Sequence, residues 1–305
     1  MSKKATLTSK AYLLPFVLVT SLFFLWGFAR AILDVLNKHF QNLLDISITQ
    51  SSLIQVSTYL GYFIMAIPAG WFINRQGYRR GVVFGLLLFG IGAFMFIPGA
   101  LAGSFYGYLV ALFVIGCGLV FLETSANPYV TELGDPQTST ARLNFSQSFN
   151  GLGSMTATLA IGQFLFSGDA DSDDIVKPYI ILGFLVLLIA VVFSRVDLPE
   201  IKHKETEEDR MQDTRIMKLF RHHPMFVFGL FSLLAYEVAE ISINSYFINF
   251  VTGQGWMADD TASLVLTCAL GFFMIGRFIG AWIMRRVKAE TMLLICGIGS
   301  VTCMG

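Results

Sequence analysis

The chain has 305 residues, 55% of them hydrophobic and only 14% charged, whereas a soluble domain carries about a quarter charged residues. Its 21 bases balance 21 acids, so there is no basic excess to favour nucleic acid as a partner. Residues 81–122 contain no Asp, Glu, Lys, Arg or His, a stretch about twice the ~20 apolar residues that cross a bilayer; this excludes a water-surrounded globule in favour of a polytopic membrane protein.

Along the chain, apolar stretches separated by Gly, Pro and charged residues predict spanning helices at 12–38, 49–73, 80–101, 105–132, 142–167, 178–195, 224–250 and 259–284. Helices are required because hydrocarbon cannot satisfy backbone groups, and the period-two alternation of a barrel is absent. The first run follows Lys3, Lys4 and Lys10 as a secretory signal would, but it is too long and lacks a small-x-small cleavage site, so it reads as a span. A ninth run begins near Thr291 with fifteen residues left before Gly305. That gives about 22 Å of helix at ~1.5 Å per residue, against a hydrocarbon core of ~30 Å.

Basic residues orient the spans. The N-terminus and every second loop after it hold 17 bases, including Arg75, Arg79, Arg80, Arg142 and Arg285, while the intervening loops hold only Lys38 and Lys177. The N-terminus and the long loop at 195–223 are therefore expected on the cytoplasmic side of the cell (inner) membrane. That loop mixes both charge signs with little apolar content and reads as a solvated linker. The expected organisation is all-α: a six-helix bundle over 1–194, the linker over 195–223, and a partial C-terminal bundle over 224–305 with spans seven, eight and the start of nine. GWFINRQGYRR from Gly70 closes span two and GAWIMRR from Gly280 closes span eight, 210 residues later. Such repeated halves belong to transporters. By this spacing the chain is about three quarters of a twelve-helix design, and on its own it is not expected to sustain transport.

Cys117, Cys268, Cys296 and Cys303 all lie in apolar runs with no CxxC pattern, and they read as small buried hydrophobes, neither disulfides nor metal ligands. The four histidines lie in loops or at span ends, and no nucleophile motif, metal motif or aspartate-rich motif occurs. No enzyme activity, cofactor or metal is expected.

Ionisable residues inside spans are functional candidates by default, because each is costly unless it faces a cavity or a partner. Arg30, Asp34, Glu123, Glu237, Glu240 and Arg277 qualify, and the excess of acids suits proton uptake and release. Glu123 is either a cavity carboxylate or a protonated side chain bonded to a neighbouring helix. Asn127 is one turn further on the same face, and Pro128 removes the backbone bond to Thr124. Asp34 lies four residues from both Arg30 and Lys38, so an intrahelical pair is the alternative to a proton role. On span five, Asn144, Gln147, Gly151, Ser154 and Thr158 form one face with Asn150 beside it. Close packing explains Gly151 and Ser154, whereas three amides offer the paired donors and acceptors that sugar hydroxyls need. Trp26 can stack on a sugar ring or pack internally. Glu237 and Glu240 share a face of span seven and either contribute to the cavity or pair with Arg30 or Arg277. Arg277 reads as a packing and gating arginine able to snorkel toward Arg285.

GWFINRQGYRR resembles the cytoplasmic loop signature of the major facilitator superfamily, with Asn74 where an acid is usual. SLFFLWGFARAILDVLNKHFQ (21–41), GYFIMAIPAGW (61–71), FLETSANPYVTELG (121–134), RLNFSQSFNGLG (142–153) and GRFIGAW (276–282) together are similar to the fucose permease family of sugar:proton symporters. The resemblance implies the major facilitator fold. It also implies proton coupling at Asp34 and Glu123; sugar contacts from Trp26, Glu123, Asn127, Gln147, Asn150 and Glu240; and gating by Gly70, Asn74, Arg75, Gly77, Arg79 and Arg277. Arg30 and Ala31 stand where the family has amides, a departure that bears on which sugar is recognised.

The expected function is proton-coupled uptake of a monosaccharide, fucose-like or another hexose, by alternating access in a monomeric protein whose partners are sugar, protons and the bilayer. A proton antiporter for another small solute is the alternative, disfavoured by the amide face of span five. A sugar sensor that binds without transporting is a further one.

Overall fold

The computed structural model describes residues 7–44, 46–165, 176–196, 220–284 and 286–304. Among the described residues the long helices are α1 (Leu13–Leu44), α2 (Leu53–Gln76), α3 (Tyr78–Phe94, continued by Phe96–Leu101), α4 (Phe105–Glu132), α5 (Ser139–Leu165), α6 (Val176–Arg195), α7 (Pro224–Gly253), α8 (Asp259–Ile283) and α9 (Ala289–Met304), and there is no strand. These follow the expected spans to within a few residues because the breakers sit where the helices stop. Gly77, at φ 87°, turns the chain between α2 and α3 in a conformation costly for other residues. Ser104 precedes α4 in extended conformation, and Pro224 opens α7, where its missing N–H costs nothing. The largest departure is α1, which runs on to Leu44 past the expected end at 38.

Seven helices among the described residues are long and apolar enough to cross a membrane. Despite its 27 residues, α5 is not one of them, because its Asn, Gln, Ser and Thr side chains dilute its apolar content. Those groups bond to neighbouring helices, as described below, which is how so polar a helix can lie within a bundle. At 16 residues α9 is shorter than a span.

By packing, the chain divides into two units, residues 1–201 with 270–305, and residues 202–269. The first holds α1–α6 with the end of α8 and α9. The sequence places 270–305 with α7; packing groups it with the first six helices. Within this unit α1 lies along α5, α4 packs on both α2 and α3, and α3 packs on α6. Phe23, Leu86, Phe89, Leu119, Val186 and Phe193 are among the side chains that fill the space between them. The α1–α5 approach is backbone-close: a Cβ on Gly27 would run into the Asn150 carbonyl, and one on Gly153 into the Phe24 carbonyl. Small residues at the crossing are what permit it. The second unit holds α7 and the start of α8. There Val251, Ala262 and Leu266 are buried, and Trp256 meets Phe250 edge-on at 5.5 Å.

Three of the four cysteines depart from the sequence expectation. Cys117 is buried, but Cys268, Cys296 and Cys303 are exposed on α8 and α9, and all four are free thiols. Apolar runs in a membrane helix cover its outward face as well as its packed face, so a cysteine within one need not be inside the protein.

Candidate substrate and proton site

The first unit brings three expected residues into one chain of hydrogen bonds. On α4, Glu123 is half-buried and Asn127 lies one turn beyond it on the same face. On α5, the Gln147 Nε2 donates to Asn127 Oδ1 at 3.1 Å. From α8, Arg277 Nη1 donates to Gln147 Oε1 at 2.9 Å and to the Gln147 carbonyl at 3.2 Å. Its guanidinium lies 3.9 Å from the Phe273 ring centroid. Phe278, one residue on from Arg277, meets Phe145 and Phe149 of α5 edge-on, and Asn144 Nδ2 reaches Met284 Sδ at 3.6 Å. The sequence reads Arg277 as a packing and gating arginine able to snorkel toward Arg285. The structure instead turns it onto the amide row, where the carbonyl and amide oxygens of Gln147 offer a polar environment without a climb to the surface.

Two expected sugar contacts are placed differently. Asn150 is 9% exposed, and its Nδ2 donates to the Phe23 carbonyl at 3.2 Å across the α1–α5 crossing. The residue is a fastener of that crossing, and Ser154 Oγ adds a second bond to the Gly27 carbonyl at 3.0 Å. Asn150 is offset from Gln147 by only about 60° around the helix at ~3.6 residues per turn, and it lies on the edge of that face nearest α1, whose Phe23 carbonyl it bonds. Trp26, the residue with two open readings, is packed. It is 6% exposed, lies beside Phe23, and donates from Nε1 to Tyr62 Oη at 3.2 Å.

Tyr62 on α2 was not singled out from the sequence. Its hydroxyl is within electrostatic reach of both the Glu123 carboxylate and the Arg30 guanidinium, so it sits between the expected proton group and Trp26. The sequence offers no signal that sets it apart, because the same helix carries Tyr59, Phe63, Trp71 and Phe72. The backbone of Asp34 belongs to α1, one turn past Arg30, while its side chain is outside the described residues, as are His203 and the linker over 197–219. Glu240 is half-buried on α7 in the second unit, on the same face as Glu237.

The loop residues assigned to gating divide by what they touch. Arg79 donates from Nε to the Phe193 carbonyl at 3.0 Å and from Nη2 to the Ser194 carbonyl at 2.6 Å. It thereby satisfies carbonyls that the C-terminus of α6 leaves without helical partners. Arg80 bonds Gln76 Oε1. Arg75 and Asn74 are exposed, with Arg75 lying over the Trp71 ring. Gly77 makes the turn, and a Cβ on Gly70 would meet nothing within 4 Å.

Arg142, counted in the sequence only as a loop base, is the largest fully buried side chain at 0% exposure. It donates to the carbonyls of Val130 (3.2 Å), Leu7 (3.1 Å), Asp135 (2.8 Å) and Thr131 and to Thr138 Oγ1 at 2.7 Å. Thr8 Oγ1 adds a bond to the Leu133 carbonyl at 2.7 Å. One guanidinium thus holds the end of α4, the turn after it and the segment before α1.

Residues 18–305 match the Major Facilitator Superfamily. The chain belongs to that superfamily. Within it, the chain is 34% identical to the L-fucose-proton symporter of Haemophilus influenzae, over 97% of this chain and 74% of that protein. It is 32% identical to the glucose/galactose transporter of Brucella abortus, over 92% and 69% respectively. The crystal structure of the Escherichia coli fucose:proton symporter superposes with a TM-score of 0.74 at 30% identity, covering 92% of this chain and 73% of that one. The resemblance to the fucose permease family seen in five sequence blocks is thereby established for the chain as a whole.

Proposed function

We propose that this protein takes up a monosaccharide together with protons by alternating access, with its N-terminus and central linker in the cytoplasm and its helices in the cell membrane. The observation that carries the reading is the amide row: Gln147 is bonded to Asn127 on one side and Arg277 on the other, beside a half-buried Glu123 in the same bundle. Amides and a guanidinium in a row form the donor and acceptor array that sugar hydroxyls match. A carboxylate next to it supplies a charge whose neutralisation can favour one conformation. Names of the relatives support this substrate class: an L-fucose-proton symporter and glucose/galactose transporters.

Glu123 carries the coupled proton with Asp34. Gln147, Asn127 and Glu240 serve the sugar, with Trp26 packed on Tyr62 and Asn150 positioning α5 behind them. Gly77, Arg79 and Arg277 belong to the gate, in which the bundle of 1–194 moves against the residues after the linker. In proteoliposomes, Glu123→Gln is expected to abolish accumulation of labelled sugar driven by a pH gradient while leaving counterflow of labelled for unlabelled sugar intact. Unchanged accumulation would remove Glu123 from the coupling.

A further inference from the structure

At two places 211 residues apart in the chain an arginine lies over the ring of a tryptophan four residues before it, at Trp71–Arg75 and Trp282–Arg286. The Arg75 guanidinium carbon is 4.2 Å from the Trp71 ring centroid, and that of Arg286 is 5.8 Å from Trp282. Both pairs stand at the end of a spanning helix, since α2 stops at Gln76 and α8 at Ile283. Trp71 is 58% and Trp282 62% exposed, and both arginines are exposed.

Near Trp71–Arg75 the other bases are engaged within the protein, Arg79 on α6 and Arg80 on Gln76. Arg75 and Arg286 have no hydrogen bond or carboxylate partner among the described residues. Asn74 is the uncharged neighbour of Arg75, α2 contains no Asp or Glu, and Glu290, four residues beyond Arg286, makes no ion pair with it.

Stacking uses the face of the guanidinium and leaves its N–H edge open in a fixed direction, lowering the entropy lost when that edge is bonded. The edge matches two oxygens of a phosphate. Tryptophan at a helix end settles at the hydrocarbon–water boundary, which sets the stacked arginine at the depth of lipid phosphates. We propose that Trp71–Arg75 and Trp282–Arg286 are two seats for the headgroup phosphate of an anionic phospholipid. The seats are independent of the sugar reading and rest only on the chain being a membrane protein. An anionic lipid is favoured over a zwitterionic one because each seat is a cation with no acid paired to it, and a choline group would bring a second cation beside it.

Tryptophan quenching tests this in nanodiscs of the full chain, using single-tryptophan variants that keep Trp71 or Trp282 and carry Phe at the other three positions. Phosphatidylglycerol or phosphatidylcholine with brominated acyl chains is the titrant. The expected result is half-quenching at a mole fraction of brominated phosphatidylglycerol at least threefold below that of brominated phosphatidylcholine at both positions. Arg75→Gln should abolish the difference at Trp71 alone, and Arg286→Gln at Trp282 alone. Equal quenching by the two lipids, or a preference that survives the Arg→Gln changes, overturns the proposal. As a check that needs no tryptophan replacement, phosphatidylglycerol retained by the detergent-purified protein should fall at least twofold in the double Arg→Gln variant. Unchanged retention counts against the seats.

Discussion

The side-chain oxygen of Gln147 accepts a hydrogen bond from Arg277 at 2.9 Å. The nitrogen of the same amide donates to Asn127 at 3.1 Å. Each end of Gln147 thus has one partner within the protein, and the second amide hydrogen and second oxygen lone pair remain for a sugar hydroxyl. Arg277 is the partner that comes from beyond the central linker.

Opposite effects on binding follow for the two ends of this bond. Gln147→Ala removes the groups the sugar uses and should weaken sugar binding at least tenfold, in line with the ~1.5–3 kcal/mol of a hydrogen bond to a charged group or its replacement. Arg277→Ala frees the Gln147 oxygen; if Arg277 competes with the sugar for that oxygen, the change should tighten binding severalfold. Calorimetric titration with the sugar decides between roles: if both variants weaken binding equally, Arg277 is a ligand and not a latch.

Arg142 bonds four backbone carbonyls and one hydroxyl at 0% exposure. Replacing it by Met leaves these acceptors to find other donors, at roughly 1–3 kcal/mol for each buried one that fails. Arg142→Met should therefore lower the yield of folded protein and its thermal midpoint by many degrees. Arg142→Lys keeps the charge but loses the planar fork, and should fall between. A thermal midpoint for Arg142→Met within a degree or two of the parent would show that water already solvates this end of α4.

Apolar stretches and breakers located the helices to within a few residues, α1 excepted, because in hydrocarbon the backbone has no alternative to helix and the breakers are few. Helix-to-helix contacts were less legible. Glu123, Asn127 and Gln147 were identifiable because polar side chains in a span are conspicuous, yet the partner of Gln147 depended on how α8 packs, which no spacing rule gives. Asn150 shows the limit from the other side: it belongs to the same polar cluster in sequence, and an offset of about 60° from Gln147 is enough for the packing of α1 to claim it. Arg142 and Tyr62 were missed for a shared reason. A lone arginine near a loop looks solvated and a lone tyrosine in a span looks packed, and only tertiary contacts separate either from that reading.

Two glycines test the contrast between close packing and open space. A side chain on Gly27 meets the backbone of Asn150, whereas one on Gly70 meets nothing within 4 Å. Gly27→Val should separate α1 from α5 and cost about 1–3 kcal/mol or more through overpacking, seen as a lower thermal midpoint and loss of sugar binding. Gly70→Ala should leave the midpoint unchanged or slightly raised, since alanine is the better helix former by about 1 kcal/mol. Should Gly70→Ala stop transport without altering stability, Gly70 is needed for a step of the transport cycle and not for packing.

Tyr62 and Glu123 are separable by pH. The Tyr62 hydroxyl accepts the Trp26 N–H at 3.2 Å, so Tyr62→Phe leaves a buried indole donor without that partner and loosens Trp26. Tyrosine stays neutral across the working range, with an ordinary pKa of about 10, so this change removes a contact and no charge. Sugar affinity should drop about fivefold at every pH between 6 and 8, with the ratio of affinities across that range kept. Glu123 is the charge. If its protonated form favours the sugar-loaded state, binding in the parent tightens as pH falls, and Glu123→Gln holds it at the tight, low-pH level throughout. A Tyr62→Phe variant whose affinity no longer varies with pH would place the phenol in the proton path itself, alongside Glu123.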